Sequence, residues 1–158
     1  MTFKPPLKGT TANTLTEVQT YKLTVTKCKT TGSNIHTVTK GTTTEVKHTT
    51  DTSCHGLIAG STTAYTFPVV WTSSPAANSS TVGFSGDSPA VVGGKAAFKL
   101  PNTGGTSAVS GSFPGSNAGA TSHAEGITAQ TPGALLAPCS TSGGLKTIKI
   151  VKGNLTLS

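Results

Sequence analysis

Apolar and polar residues alternate over several short stretches of the chain. In Thr20–Lys27, the side chains of Tyr21, Leu23 and Val25 fall on one face, opposite lysine and threonine. A repeat of two residues is typical of a β-strand with one buried face, and β-branched threonine suits the exposed face of a sheet. The pattern therefore predicts strands, and it recurs in Thr63–Trp71.

Turn signals divide the chain into short strand candidates, because glycine pairs and Thr31–Asn34 fall between the alternating stretches. The candidates are Thr2–Leu7, Leu15–Cys28, Asn34–Lys40, Thr42–Thr49, Ala64–Thr72, Ser80–Gly86, Ala96–Leu100, Ser107–Phe113, Ala118–Ala124 and Lys146–Lys152, with a small Leu155–Leu157 end piece. This spacing predicts an all-β fold, an antiparallel β-sandwich of about eight to ten short strands that is immunoglobulin-like or jelly-roll-like. Pro68 predicts an edge position or a bulge in its strand.

The inward faces of these strands predict one core and a single domain over residues 1–158. The expected core residues are Leu23, Val25, Tyr65, Phe67, Trp71, Phe84, Phe98, Phe113, Ile148 and Ile150. The one helical candidate, Ala134–Cys139, is too short to change the class. Trp71 and Tyr65 carry a second interpretation, because they would form a stacking platform for a sugar or another small ligand if they faced solvent.

Composition excludes several classes of protein. The chain holds 31 threonines, 17 serines and 19 glycines but no arginine, and only 34% of its residues are hydrophobic. Helix-forming residues are too scarce for a large helical core. No run of 18 apolar residues occurs, which predicts that no helix spans a membrane. With 11% charged residues, charge repulsion is too weak to keep the chain unfolded.

The net charge of +7 bears on the expected partners. Nucleic acid is not expected, because arginine, which makes bidentate contacts to guanine and phosphate, is absent. The charge predicts a weak, salt-sensitive attraction to an anionic cell-envelope polymer. Another surface protein and self-assembly are the other expected partners.

Three cysteines allow one disulfide bond. Cys28 ends a strongly patterned strand and Cys54 follows the next hairpin, so Cys28–Cys54 is the predicted pair, and Cys139 is left over. Three reduced and buried thiols are the alternative. The adjacency of Cys54 and His55 does not match the ligand spacing of a zinc finger or ribbon.

Four stretches resemble a group of small secreted, mostly uncharacterised Thr/Ser/Gly-rich β proteins of high-GC Gram-positive bacteria. They read TFKPPLKGTTANT, LTVTKCKTTGSN, STVGFSGDSP and GGKAAFKLPNTGGTSAVSGSFPGS. The resemblance implies export and a β fold, and it implies no activity. Members of the group carry a cleaved signal and a cysteine ahead of the part similar to Met1–Lys8. The resemblance therefore implies that this sequence is a mature region that lacks the signal and up to one strand.

His48, Asp51 and His55 place three potentially catalytic or metal-ligating groups within eight residues. The threonine, serine and glycine residues around them predict a solvated turn, and no nucleophile elbow or phosphate-binding loop occurs in the chain. We therefore predict no catalysis, no cofactor and no metal site. The predicted function is a structural, adhesive or assembly role outside the cell or on its surface. A carbohydrate- or small-ligand-binding module is the alternative, and an enzyme with an unrecognised site is the second alternative.

Overall fold

The computed structural model describes residues 1–29, 36–77, 79–102, 105–111 and 121–157. The strands are β1 (Thr2–Leu7), β2 (Thr16–Thr26), β3 (Thr37–Thr50), β4 (Ser61–Ser74), β5 (Ser80–Val92), β6 (Lys95–Leu100), β7 (Ser107–Gly111), β8 (Ser122–Thr128), β9 (Leu145–Thr147) and β10 (Ile150–Leu157). Two five-residue helices are α1 (His55–Ala59) and α2 (Pro132–Leu136), and a 3-10 turn, Ala137–Ser140, follows α2.

All ten strands belong to one curled sheet. Their order is β10-β8-β6-β5-β4-β3-β2-β1-β9, with β7 paired to β5 off this path. Each pair of neighbours in this order is antiparallel. The sheet curls into a half-barrel, so the predicted all-β antiparallel class is confirmed, whereas a sandwich in particular is not what the described strands form.

Two long strands carry the sheet around the curl because each changes partner along its length. In β4, residues Ser61–Val69 pair with β5, and only the last residues, from Val70 on, pair with β3. In β5, the first half pairs with β4 and β7, and the second half pairs with β6. Pro68 lies in the part of β4 that pairs with β5 alone among the described strands, so its position is locally an edge although β4 is central in the sheet.

The core has two parts. The first lies where β1 pairs with β2 and β9, which we call the closed end of the sheet. It is built from Phe3, Leu7, Cys54, Ala96, Leu135, Cys139, Leu145 and Ile148. The second lies inside the curl and is built from Tyr65, Phe67, Val69, Val82, Phe84 and Val109.

The predicted core list is correct for Tyr65, Phe67, Phe84 and Ile148, which are buried. Val25, Trp71 and Phe98 are half-buried, and Phe113 lies outside the described residues. The prediction was wrong for Leu23 and Ile150, which remain 40% and 42% exposed. Both border the open side of the curl, where no described strand covers them.

The disulfide joins Cys54 to Cys139, with 6.3 Å between their Cα atoms, and Cys28 is a free, half-buried thiol. The predicted Cys28–Cys54 pair was therefore wrong. Cys28 follows β2 at the turn end of the β2–β3 hairpin, whereas Cys54 follows β3 at the other end. Eleven paired residues separate those ends by about 30 Å, far beyond the reach of a disulfide.

Candidate functional site

A cleft of about 1900 Å³ lies inside the curl. Its floor includes Tyr65, Phe67, Val82 and Phe84 of the second core cluster. Residues of β2 and of β10 line it as well. A concave surface with aromatic and aliphatic lining and a few polar groups is the usual form of a binding site.

The cleft exists because the ring of strands is closed at one end only. There, β1 lies between β2 and β9, with Thr2 opposite Thr20 on one side and Thr147 on the other. Met1 and Ile148 exchange two backbone hydrogen bonds of 2.9 Å beside this position. Beyond it, none of the described strands pairs with the free side of Tyr21–Thr26, and β10 pairs with β8 alone. Two unpaired strand edges therefore border the same cleft.

Aromatic contacts hold β2 against the floor of the cleft. The ring of Tyr21 meets those of Tyr65 and Phe67 edge-on, with centroid distances of 6.0 and 5.4 Å. Tyr65 and Phe67 stack at 6.3 Å, and Phe67 reaches Phe84 at 6.3 Å. Such ring pairs contribute about 0.5–1.5 kcal/mol each beyond the burial of their surface.

Apolar side chains continue along both edges into the open part of the cleft. Leu23 and Val25 follow Tyr21 on the same face of β2, and Leu155 and Leu157 project from β10 onto the second core cluster. Leu23 is 40% exposed. These residues form an incomplete core that one further layer of side chains would cover.

A polar chain runs along β2 at the closed end of the cleft. The Thr49 hydroxyl donates to Glu17 Oε1 at 3.1 Å, Gln19 Nε2 donates closely to the same oxygen, and the Tyr21 hydroxyl donates closely to Gln19 Oε1. Glu17 is only 1% exposed, and its Oε2 has no hydrogen-bond partner among the described residues. Burial raises the pKa of Glu17, since the carboxylate loses its hydration, so folding favours the protonated acid.

A second carboxyl group lies across the cleft. The Tyr65 hydroxyl donates to Asp87 Oδ2 at 2.8 Å. Burial raises the pKa of Asp87, although the hydrogen bond from Tyr65 partly opposes this effect. Burial also raises the pKa of Tyr65, with the Asp87 charge as a further cause, and burial raises that of Tyr21. Both tyrosine hydroxyls therefore stay protonated and act as hydrogen-bond donors.

Positive charge surrounds the open part of the cleft. The lysines that line it are Lys22, Lys27, Lys29, Lys149 and Lys152. Neither Tyr21–Thr26 nor Ile150–Leu157 contains an acidic residue. The two unpaired edges are thus basic, and the acidic residues that line the cleft, Glu17, Asp51, Asp87 and Glu125, lie outside these two segments.

The two residues predicted as a platform lie in different surroundings. Tyr65 is only 7% exposed, so it does not meet the condition of solvent exposure. Trp71 is half-buried, and its Nε1 donates to Ser80 Oγ at 2.8 Å. The Trp71 ring packs over Gly41, where an added Cβ would lie 2.5 Å from the ring. Trp71 therefore packs against Gly41 on one side and also lines the cleft.

His48, Asp51 and His55 are not brought into one site. His48 is exposed on β3 and does not line the cleft, whereas Asp51 and His55 do. Asp51 Oδ1 accepts from the backbone N–H groups of Ser53 at 2.8 Å and Asn13 at 3.3 Å, a role in shaping the turn. Across the described ranges, no group of three or more His, Cys, Asp and Glu side chains could hold a metal ion.

The comparison with known protein families, curated proteins and solved structures found no match for this chain. None of the helices in the described part of the chain is long and apolar enough to cross a membrane. Sequence reasoning did not single out Glu17 and Gln19, although both lie on the same face of the alternating strand as Tyr21, Leu23 and Val25. A glutamate in phase with an apolar strand face was the available signal.

Proposed function

We propose that the protein has a non-enzymatic assembly or adhesion role outside the cell or on its surface, and that it holds an extended segment of another surface protein in the open cleft. The observation that carries the proposal is the pair of unpaired strand edges with exposed apolar side chains between them. The Cys54–Cys139 bond supports an oxidising compartment, where disulfides persist.

Unpaired strand edges offer rows of backbone donors and acceptors that another chain can extend. Proteins usually keep such edges short or cover them, yet here none of the described strands other than β8 pairs with the eight residues of β10. Exposed Leu23, Ile150 and Val151 add apolar surface beside these edges. The combination supports capture of a polypeptide segment over catalysis.

A display library of random peptides, selected on the immobilised protein, tests this function. We expect the selected peptides to lose binding to Leu23→Glu and to keep binding to Val46→Glu. Leu23 is 40% exposed and Val46 is 48% exposed on the neighbouring strands β2 and β3, but only Leu23 lines the cleft. A library without cleft-dependent binders contradicts the proposed function.

A small-ligand-binding role is the second candidate, favoured by the buried Glu17, whose Oε2 has no partner among the described residues and whose Oε1 is linked through Gln19 to the Tyr21 hydroxyl. It predicts that a panel of mono- and disaccharides and small aromatic amines raises the melting temperature of the protein. It further predicts that Glu17→Gln removes the effect. A panel without any shift argues for the polypeptide partner.

A further inference from the structure

The directions of the strands restrict what can fill the gap between β2 and β10. From β10 to β2 the sheet has seven strands joined by six antiparallel steps, so β10 and β2 run in the same sense. A single strand placed between them can therefore be antiparallel to both. With this eighth strand, every neighbouring pair in the closed ring is antiparallel. A ring of eight strands encloses an interior that side chains can fill.

The closed end shows the width of the gap. Thr2 pairs with Thr20 of β2 and with Thr147 of β9, so one strand, β1, spans the distance between the two sides. Two strand spacings amount to about 9–10 Å. Since β10 follows β9 after two residues, the open part of the gap continues from a position that is one strand wide.

The register of β1 predicts which groups face an added strand. The backbone N–H and C=O groups of Met1 both bond to Ile148. The N–H and C=O groups of the next residue, Thr2, therefore point to the other side, towards Thr20. The alternation along β2 then turns the N–H groups of Lys22, Thr24 and Thr26 towards the gap. Leu23 and Val25 direct their side chains into the cleft between these positions.

Charge and side-chain alternation identify the chemistry of the occupant. Phe3 of β1, opposite Gln19, is buried inward, so inward side chains of an in-line strand would contact Leu23 and Leu155 and need to be apolar. Continuing the two β1 registers places the first outward side chain of the added strand between Lys22 and Lys149. An acidic side chain there would meet two exposed lysines.

We propose that the gap between β2 and β10 binds one extended segment of a partner protein in line with β1, antiparallel to both edges, with alternating apolar and acidic side chains. The inference rests on the proposed function and adds its mode and its partner chemistry. A second copy of this chain is a poor occupant, because its net charge is +7 and its unpaired edge segments, Tyr21–Thr26 and Ile150–Leu157, carry lysine and no acid.

A synthetic peptide tests the proposal on the complete chain. The probe is fluorescein-labelled Glu-Val-Thr-Val-Thr-Val-Glu-amide, whose valines alternate with threonine and terminal glutamates. We expect saturable binding by fluorescence anisotropy and at least about tenfold weaker binding of the Lys-Val-Thr-Val-Thr-Val-Lys-amide control. Leu23→Glu should weaken binding by about tenfold or more, and Val46→Glu should change it by less than about twofold.

Hydrogen exchange gives a second readout that does not depend on a variant. Bound peptide should slow exchange at the amides of Lys22, Thr24 and Thr26, and leave exposed amides outside the cleft unchanged. The same seven residues fused directly before Met1 should fill the gap and abolish binding of the free peptide.

Three results would overturn the proposal: equal binding of the two peptides, undiminished binding to Leu23→Glu, or unchanged exchange at the three amides. A display library that yields cleft-dependent peptides without the acidic and apolar alternation would refute this chemistry alone. The proposed function would then stand.

Discussion

Removal of the Cys54–Cys139 disulfide should be the most damaging change to stability that leaves the cleft intact. The two cysteines are 0% and 2% exposed, and they belong to the core cluster of the closed end with Phe3, Leu7 and Ile148. They join the start of α1 to the 3-10 turn across 85 positions of sequence. The test variant is Cys54→Ala/Cys139→Ala.

The expected loss follows from the length of the loop that the bond closes. The chain-entropy relation, applied to a separation of 85 residues, gives about 4–5 kcal/mol at 25 °C. Domains of this size unfold with about 5–15 kcal/mol in total, so the variant should lose about a third of this free energy or more. The loss of two buried sulfur atoms adds a smaller packing cost.

Urea unfolding, followed by Trp71 fluorescence and by circular dichroism, measures this loss. The oxidised wild type, the wild type with dithiothreitol and the double variant are compared at equal pH and salt. Because reduction keeps both sulfur atoms, it separates the loop entropy from the packing cost. Cys28→Ala is the matched control, since this thiol is free, and it should cost less than about 1 kcal/mol.

Two results would refute the reasoning. A double variant within about 1 kcal/mol of the wild type would show that the closed end does not depend on the bond. A peptide map without reductant in which Cys28 is bonded to Cys54 would show that Cys54 does not pair with Cys139 in solution.

Three further predictions concern the cleft and its floor. Burial raises the pKa of Glu17 above its ordinary 4.5, so the folded protein binds this proton more tightly than the unfolded chain, and the wild type should lose stability relative to Glu17→Gln as pH rises above about 4.5. Urea unfolding from pH 4 to 8 measures the stability difference between the two proteins, and a difference that does not change with pH would contradict the prediction. Gly41→Ala should cost about 1–3 kcal/mol by urea unfolding because its Cβ would meet the Trp71 ring, whereas Gly56→Ala, with no atom within 4 Å of the added Cβ, should be neutral; equal effects would contradict the contact. Phe67→Ala should cost about 3–5 kcal/mol by urea unfolding, since it removes a buried ring that contacts three others, and a loss below about 1 kcal/mol would contradict its place in the core.

Alternation in the sequence predicted the strands well where turns are short. β1 has the predicted bounds, Thr2–Leu7, and β6 and β7 begin within one residue of prediction. β3 was predicted as two strands, because Lys40-Gly41 has the composition of a turn. In the structure β3 runs through Gly41 without a break, and the glycine makes room for the Trp71 ring from β4. A glycine required by a distant ring cannot be told from a turn glycine by local sequence.

The β2–β3 hairpin could have excluded the wrong pair, Cys28–Cys54, from the sequence alone. If β2 and β3 pair in register, Cys28 and Cys54 necessarily lie at opposite ends, because each follows the end of its own strand. What the sequence could not supply was the position of Cys139, since α2 and the 3-10 turn reach Cys54 only through packing at the closed end. The correct pair depends on contacts between distant segments.

The errors in the predicted core have a physical pattern of their own. The alternation placed Leu23 and Ile150 inside, yet both are more than a third exposed, and both border the gap between β2 and β10. Strand faces elsewhere in the curl, such as Tyr65, Phe67 and Val69, are buried as the alternation predicted. The local pattern fits a completed sheet, whereas no described strand covers the gap between β2 and β10, and the two observations together are consistent with an added strand there. If a partner strand fills the gap as proposed, Leu23 and Ile150 should become buried in the complex, and their exposed surface in the free chain is the surface that the strand would cover.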